Sequence, residues 1–195
     1  MGERLAWAVF ATEDPAAFNA MSLQLYDVVV WLNTSGNVLD SGQESAFQVY
    51  IESGGGYVRI HSAADTEHAW PFYNELVGAY FESHPAIQQG TIRVEDTTHP
   101  AMASLPATWV RTDEWYNFRT NPRSKVRVLA SLDEQTYSGG TMGGDHPIAW
   151  LHDQGAGRAF YTGLGHTSES YNEPLFLKML SEAIGWAGGE SPPRK

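Results

Sequence analysis

Seven histidines, 23 acidic side chains and no cysteine bound the chemistry open to this 195-residue chain. Without cysteine there is no disulfide, no thiolate metal ligand and no thiol nucleophile. Catalysis must then come from imidazoles, carboxylates, hydroxyls or a bound metal. The first place where such groups gather is "GGGYVRIHSAAD", Gly54 to Asp65. An apolar run, Tyr57 to Ile60, ends directly on His61, with Asp65 four residues on. Polar residues just beyond the carboxyl end of a buried strand in an α/β sheet stand where such folds form sites. His61 and Asp65 are therefore candidates for acid–base work, since imidazole titrates near neutral pH. Ser62 lacks the flanking glycines of a nucleophile elbow, G-x-S-x-G, so a serine hydrolase is disfavoured.

A second group follows from a turn. In "DHPIAWLHDQGAGRAFYTGLGHTSES" two apolar runs flank the Gly-rich "DQGAG", the pattern of a β-hairpin. With Gly155 near the turn, His146 falls opposite about Leu164 and so close to His166. The two rings would share one end of the sheet, while His152 would lie toward the other end and serve as a negative control. A third group, "RTDEWYNFRTNPR", combines Asp113 and Glu114 with Trp115, Tyr116 and Asn117. Sugars stack C–H faces on aromatic rings and bond carboxylates and amides, so Asp113, Trp115, Tyr116 and Asn117 read as substrate contacts and Glu114 as catalytic. The competing reading is that the rings are core. His84, His99 and His146 each precede proline, which forces an extended backbone. For His84 and His99 that local role suffices.

The elements that would position these groups read as α/β. "LAWAVFA" (5–11) reads as a strand and "PAAFNAMSLQLY" as short helical turns started by Pro15, with Ser22 as a second cap. "DVVVWLN" (27–33) is continuous and β-branched, the signature of a strand covered on both faces. "DSGQESAFQVYIESGGG" reads as a helix capped by Asp40 and closed by Gly54. "YVRI" is the next strand, which makes a βαβ unit. Five further runs, "TIRVED", "ATWVRTDEW", "VRVLASLD", "PIAWLHD" and "GRAFYTGLG", have few helices between them and predict antiparallel additions to a parallel sheet. A final helix over "NEPLFLKMLSEAIGWAG" places Leu177, Leu180, Ile184 and Ala187 on one stripe.

The chain length predicts a single domain over 1–188, with 189–195 as a disordered tail. A net charge of −11 argues against nucleic acid or an anionic membrane as partner. No apolar run reaches the ~18 residues needed to span a bilayer, and the N-terminus has no secretory pattern, so a cytoplasmic location is the default.

Four strings in one order, "GGGYVRIHSAADTEHAWPFYNELVGAYFESHPAIQ", "VEDTTHPAMASLPATWVRTDEWYNFRTNPR", "GGTMGGDHPIAW" and "GRAFYTGLGHTSESY", resemble the ThuA-like (trehalose utilisation) family of the class I glutamine amidotransferase-like superfamily. The resemblance implies a flavodoxin-like three-layer α/β sandwich, a small-molecule sugar (a disaccharide or its keto form) as substrate, and a site drawn from His61, Asp65, Asp113, Glu114, His146 and His166. Glutamine hydrolysis is excluded because the superfamily's cysteine is missing. Relatives begin with one more strand and helix, so a homo-oligomer that fills the gap is expected. Two functions stay open: an enzyme using acid–base chemistry, or a divalent metal ion held by two imidazoles and a carboxylate, and a non-catalytic carbohydrate-binding module.

Overall fold

The computed structural model describes residues 7–189. A seven-stranded mixed sheet forms the centre: β1 (Val28–Leu32), β2 (Gly56–Ile60), β3 (Gln88–Val94), β4 (Thr108–Asp113), β5 (Arg127–Asp133), β6 (Pro147–Gln154) and β7 (Gly157–Thr162), in the order β1-β2-β7-β6-β5-β3-β4. The β1–β2 and β2–β7 pairs are parallel. The other pairings are antiparallel. This is the expected α/β sheet, and the antiparallel portion is the larger part of it. Following the directions across the sheet, one end collects the carboxyl termini of β1, β2, β4, β5 and β7 and the amino termini of β3 and β6.

Local signals account for the helices. α1 (Ala20–Leu23) is capped by Asn19, whose side chain accepts from the Met21 and Ser22 amides; the cap is not Ser22 as expected. α2 (Ser41–Glu52) starts at Asp40 in a full capping box with Gln43, and the chain leaves it through Gly54 at φ 112°. α3 (Pro71–Val77) has Pro at its first position, where its missing N–H costs no hydrogen bond. Its last carbonyls are met by side chains from the sheet: Arg59 donates to Leu76 and Trp150 donates to Val77. α4 (Pro174–Ala187) buries Phe176, Met179, Leu180, Ala183 and Ala187, so the buried stripe is rotated from the one expected, and Leu177 and Ile184 are only half-buried.

Alternation along β2 separates the layers. Tyr57 packs with Trp31, Phe47 and Tyr73, under α2 and α3. Gly56 faces the other way, where an added Cβ would lie 2.5 Å from the Ala187 carbonyl oxygen of α4. α4 packs on β1, β2 and β7. Helices therefore cover both faces and give three layers.

Two expectations about the first strands change. Residues 7–11 form no strand, and residues 5 and 6 lie outside the described residues, as do 190–195 of the expected tail. Among the described residues β1 is the last strand of the sheet, and it is not covered on both faces: Val30 and Leu32 are exposed, and only Trp31 is buried. A continuous apolar run does not by itself say how many neighbours a strand has. Among the described residues no helix is long and apolar enough to cross a membrane.

His152 on β6, opposite Ala159, has two ring nitrogens with no hydrogen-bond partner. Burial, reinforced by the Arg59 charge, pushes its pKa down from 6.5 to about 3. A lowered histidine contributes stability that is complete above its unfolded pKa and lost as pH falls toward the folded value. His152→Leu should flatten the decline of unfolding free energy between pH 6.5 and 4 in urea titrations. An unchanged slope would count against this assignment.

Candidate metal and catalytic centre

His61 is the first residue after β2 and sits in the left-handed region at φ 52°. That conformation is uncommon for a residue with a Cβ and is found where the surroundings hold it. The hold is visible. The His61 carbonyl accepts from the Tyr161 hydroxyl at 3.1 Å, and its Nδ1 lies 2.8 Å from the Gly163 carbonyl oxygen. A carbonyl only accepts, so Nδ1 carries the proton and Nε2 of the neutral ring presents a lone pair.

That lone pair points at two other groups. His61 Nε2 lies 3.1 Å from Glu114 Oε2 and 3.1 Å from His166 Nδ1, and His166 Nδ1 is 3.3 Å from the same Oε2. Three side chains from the ends of β2, β4 and β7 thus converge on one point. With neutral rings, only the His166 nitrogen can bring a proton to this triangle. A cation satisfies all three lone pairs instead. Donors sharing one ion at about 2.1 Å stand roughly 3.0–3.4 Å apart, which is the spacing here. The proton that His61 donates to a backbone carbonyl is also the outer contact that ligating histidines make. The residues therefore fit a divalent metal such as zinc, bound by His61, Glu114 and His166.

Glu114 is buried, which by itself raises its pKa; with the rings around it protonated, the His61 hydrogen bond and the charges of His166 and His84 outweigh burial and leave it below the usual carboxylate value. Tyr116 covers the cluster, with its ring 4.0 Å from that of His61. Burial pushes the Tyr116 hydroxyl's pKa well up, and Glu114 and Asp65 add to the shift.

The other candidates fall in distinct places. Asp113 is fully buried and accepts from the amides of Gly165 (2.8 Å), His166 (3.1 Å) and Glu114 (3.0 Å). It builds the site rather than facing into it. Arg111, also buried, reaches Asp113 at 3.3 Å and donates to Ser170 Oγ. Trp115 is fully buried and donates to the Gln88 carbonyl, so it offers no face to a sugar. Asn117, buried, binds the Gly139 carbonyl and the Thr141 amide. Asp65 pairs with His68 at 2.8 Å, outside the triangle.

The hairpin forms with Gln154 opposite Gly157, a register that carries His146 to the level of Gly165, as expected. The His146 ring nevertheless turns away from His166. Its Nε2 donates to the Tyr116 carbonyl at 2.8 Å, and its Nδ1 lies 2.7 Å from Glu134 Oε1 and 3.1 Å from the Tyr137 hydroxyl. Only two of the three imidazoles expected to meet do so, because backbone register sets the height of a residue and not the side to which its ring is drawn. The residue sequence reasoning missed is His84, whose Nδ1 is 3.1 Å from Glu114 Oε1. The string "HPAIQ" held no signal beyond its proline. His99 does take the local role expected, accepting from the Ala101 amide.

A two-layered helical cover on a mixed sheet, with its polar cluster beyond the carboxyl ends of β2 and β7, places the protein among flavodoxin-like, amidotransferase-like α/β proteins. The ThuA family model, described as trehalose utilisation, matches residues 1–187. The chain belongs to the ThuA family. It is similar to a ThuA-like protein of Bacteroides uniformis ATCC 8492 at 29% identity and TM-score 0.82, over 95% of this chain and 79% of that one. A ThuA-like protein of Parabacteroides merdae ATCC 43184 shares 21% identity with TM-score 0.75, over 97% and 79%. Part of a β-galactosidase from Bacillus circulans sp. alkalophilus has the same fold at 16% identity and TM-score 0.57, over 87% of this chain and 24% of that one. No curated protein matches the sequence.

Asp113→Ala leaves Arg111 without its nearest buried carboxylate and three amides without an acceptor. Removing one partner of a buried pair costs about 3–5 kcal/mol. Urea unfolding should show a loss of that order, with faster amide exchange at Gly165 and His166. A loss below about 1 kcal/mol, in the range of exposed pairs, would contradict the role given to Asp113.

Proposed function

We propose that the protein is a metal-dependent enzyme of sugar metabolism, acting on a disaccharide or its keto form, with His61, Glu114 and His166 as the metal ligands. The observation that carries this reading is the triangle of lone pairs, backed by the proton that His61 gives to Gly163. A divalent ion bound there would polarise a carbonyl or lower the pKa of a bound water. His61 and Glu114, both buried, would stay fixed when substrate arrives, while His166, the most exposed of the three, would border the open side. Tyr116 would shield the His61 side from solvent, which strengthens charge interactions in the site. The family description supports a sugar as substrate class. The burial of Trp115 weighs against the binding-module reading, which needed that ring as a stacking platform.

The test uses protein prepared without a histidine tag. Elemental analysis should find one divalent ion per chain after incubation with zinc or manganese. Glu114→Gln and His166→Ala should each weaken binding by more than the roughly 10–100-fold that loss of an outer contact costs. Turnover of trehalose and its 3-keto derivative should stop on chelation and return with metal. Absence of stoichiometric metal, together with turnover indifferent to chelator, would defeat the proposal.

A further inference from the structure

We infer that Tyr116 is a catalytic residue whose hydroxyl donates a hydrogen bond to the sugar oxygen that gains negative charge during reaction; the inference rests on the metal reading above. Among the described residues five tyrosines are buried: Tyr57, Tyr73, Tyr80, Tyr116 and Tyr161. Four of them pair their hydroxyls inside the protein. Tyr57 meets Tyr73 at 3.1 Å, and Tyr73 donates to the Ala63 carbonyl at 2.6 Å. Tyr80 donates to the Glu67 carbonyl at 2.8 Å and Tyr161 to that of His61 at 3.1 Å. The Tyr116 hydroxyl makes no hydrogen bond among the described residues, and it is not sealed from solvent. A buried phenol ordinarily pairs its O–H. The exception is the one beside the metal ligands.

The rest of the residue is held. The ring centroid lies 4.0 Å from that of His61 and 4.3 Å from that of Phe81, with His84 and Phe118 at 6.2 and 6.4 Å. The Tyr116 carbonyl accepts from His146 at 2.8 Å, which fixes the backbone as well. Only 5% of the residue is exposed, so the ring face expected to stack on a sugar is taken up by protein. What the residue still offers is its hydroxyl. Glu114 and Asp65 are the carboxylates whose charge reaches it, so it stands near a metal ligand and near a half-exposed acid.

A three-residue ligand set leaves room on an ion for a substrate oxygen. Tyr116 then supplies a donor that is already fixed in place and has no internal bond to give up. Donors of this kind need no rearrangement when charge develops, which is why oxyanion contacts are effective. No proton leaves the phenol: the O–H donates and keeps its hydrogen.

The test compares wild type, Tyr116→Phe and Tyr161→Phe, loaded with zinc, for turnover of trehalose and its 3-keto derivative. Zinc titration by calorimetry and thermal unfolding of the metal-free proteins run alongside. Phenylalanine keeps the ring packing and removes only the hydroxyl. Tyr116→Phe should lower kcat about 10²–10³-fold, the usual loss for one such donor, with KM and zinc affinity unchanged. Its Tm should not fall, because no internal hydrogen bond is lost, whereas Tyr161→Phe loses the bond to His61 and should melt lower. A wild-type kcat in zinc-loaded Tyr116→Phe would overturn the role of Tyr116 alone. So would a lowered Tm, which would reveal an internal partner, or a fall in zinc affinity that matches the fall in kcat. Failure of the wild type to bind zinc, or to turn over either sugar, would remove the function proposed above and this inference together.

Discussion

The site depends on one buried carboxylate. Asp113 accepts backbone N–H groups from residues 114, 165 and 166, joining the end of β4 to the loop after β7. These strands are not neighbours, for β6, β5 and β3 stand between them in the sheet. Sheet hydrogen bonding alone therefore gives no reason for Glu114 and His166 to approach each other. A carboxylate in a water-free interior must find donors, and three backbone amides with Arg111 beside them are what this one finds. The chain after β7 follows, entering Gly165 at φ 99°, where an added Cβ would lie 2.9 Å from the Tyr171 hydroxyl and 2.8 Å from Phe176. Arg111 continues the connection to Ser170 and Glu173, so the start of α4 is drawn in as well.

Backbone strain is concentrated where the parallel strands end. Asn33 follows β1 at φ 53° and His61 follows β2 at φ 52°. Each is compensated by bonds to the loop after β7: Asn33 donates to the Gly165 carbonyl and His61 to that of Gly163. Glu67, at φ 51°, accepts from the Val38 and Leu39 amides and closes the same region from below. Left-handed residues that carry side chains persist only when neighbours over-determine them. Here the neighbours are the groups that aim His61 at Glu114, so the strain and the geometry of the triangle have a common origin.

Tyr116 links this centre to a second buried cluster. Its ring lies against His61 and its carbonyl accepts from His146, which pairs with Glu134. Glu134 also accepts from the Met142 and Gly143 amides, and so anchors the glycine-rich loop before β6. On the outer side, Arg123 pairs with Glu95 and Asp145. Such exposed pairs contribute little each, while the part-buried His146–Glu134 pair holds the backbone on which Tyr116 rides. His146 thus acts on the centre through a carbonyl and not through its own ring.

What the sequence determined by itself was local. Asp40 capping a helix, Gly155 in a hairpin turn, β-branched runs as strands and a histidine beyond β2 all follow from preferences set within a few residues. Periodicity and turn chemistry also brought His146 and His166 to one end of the sheet, and the ThuA resemblance named the fold. Tertiary structure alone decided which rings meet. His166 was drawn to Glu114 by the needs of Asp113, His146 was taken by Glu134, and His84 arrived through a two-strand pairing that its own segment does not announce. It also decided that β1 is not covered on both faces and that Trp115 is core. Each of these outcomes turns on where a side chain finds its hydrogen-bond partner or its neighbours, and those partners lie 12 to 105 residues away along the chain, beyond the reach of any local pattern.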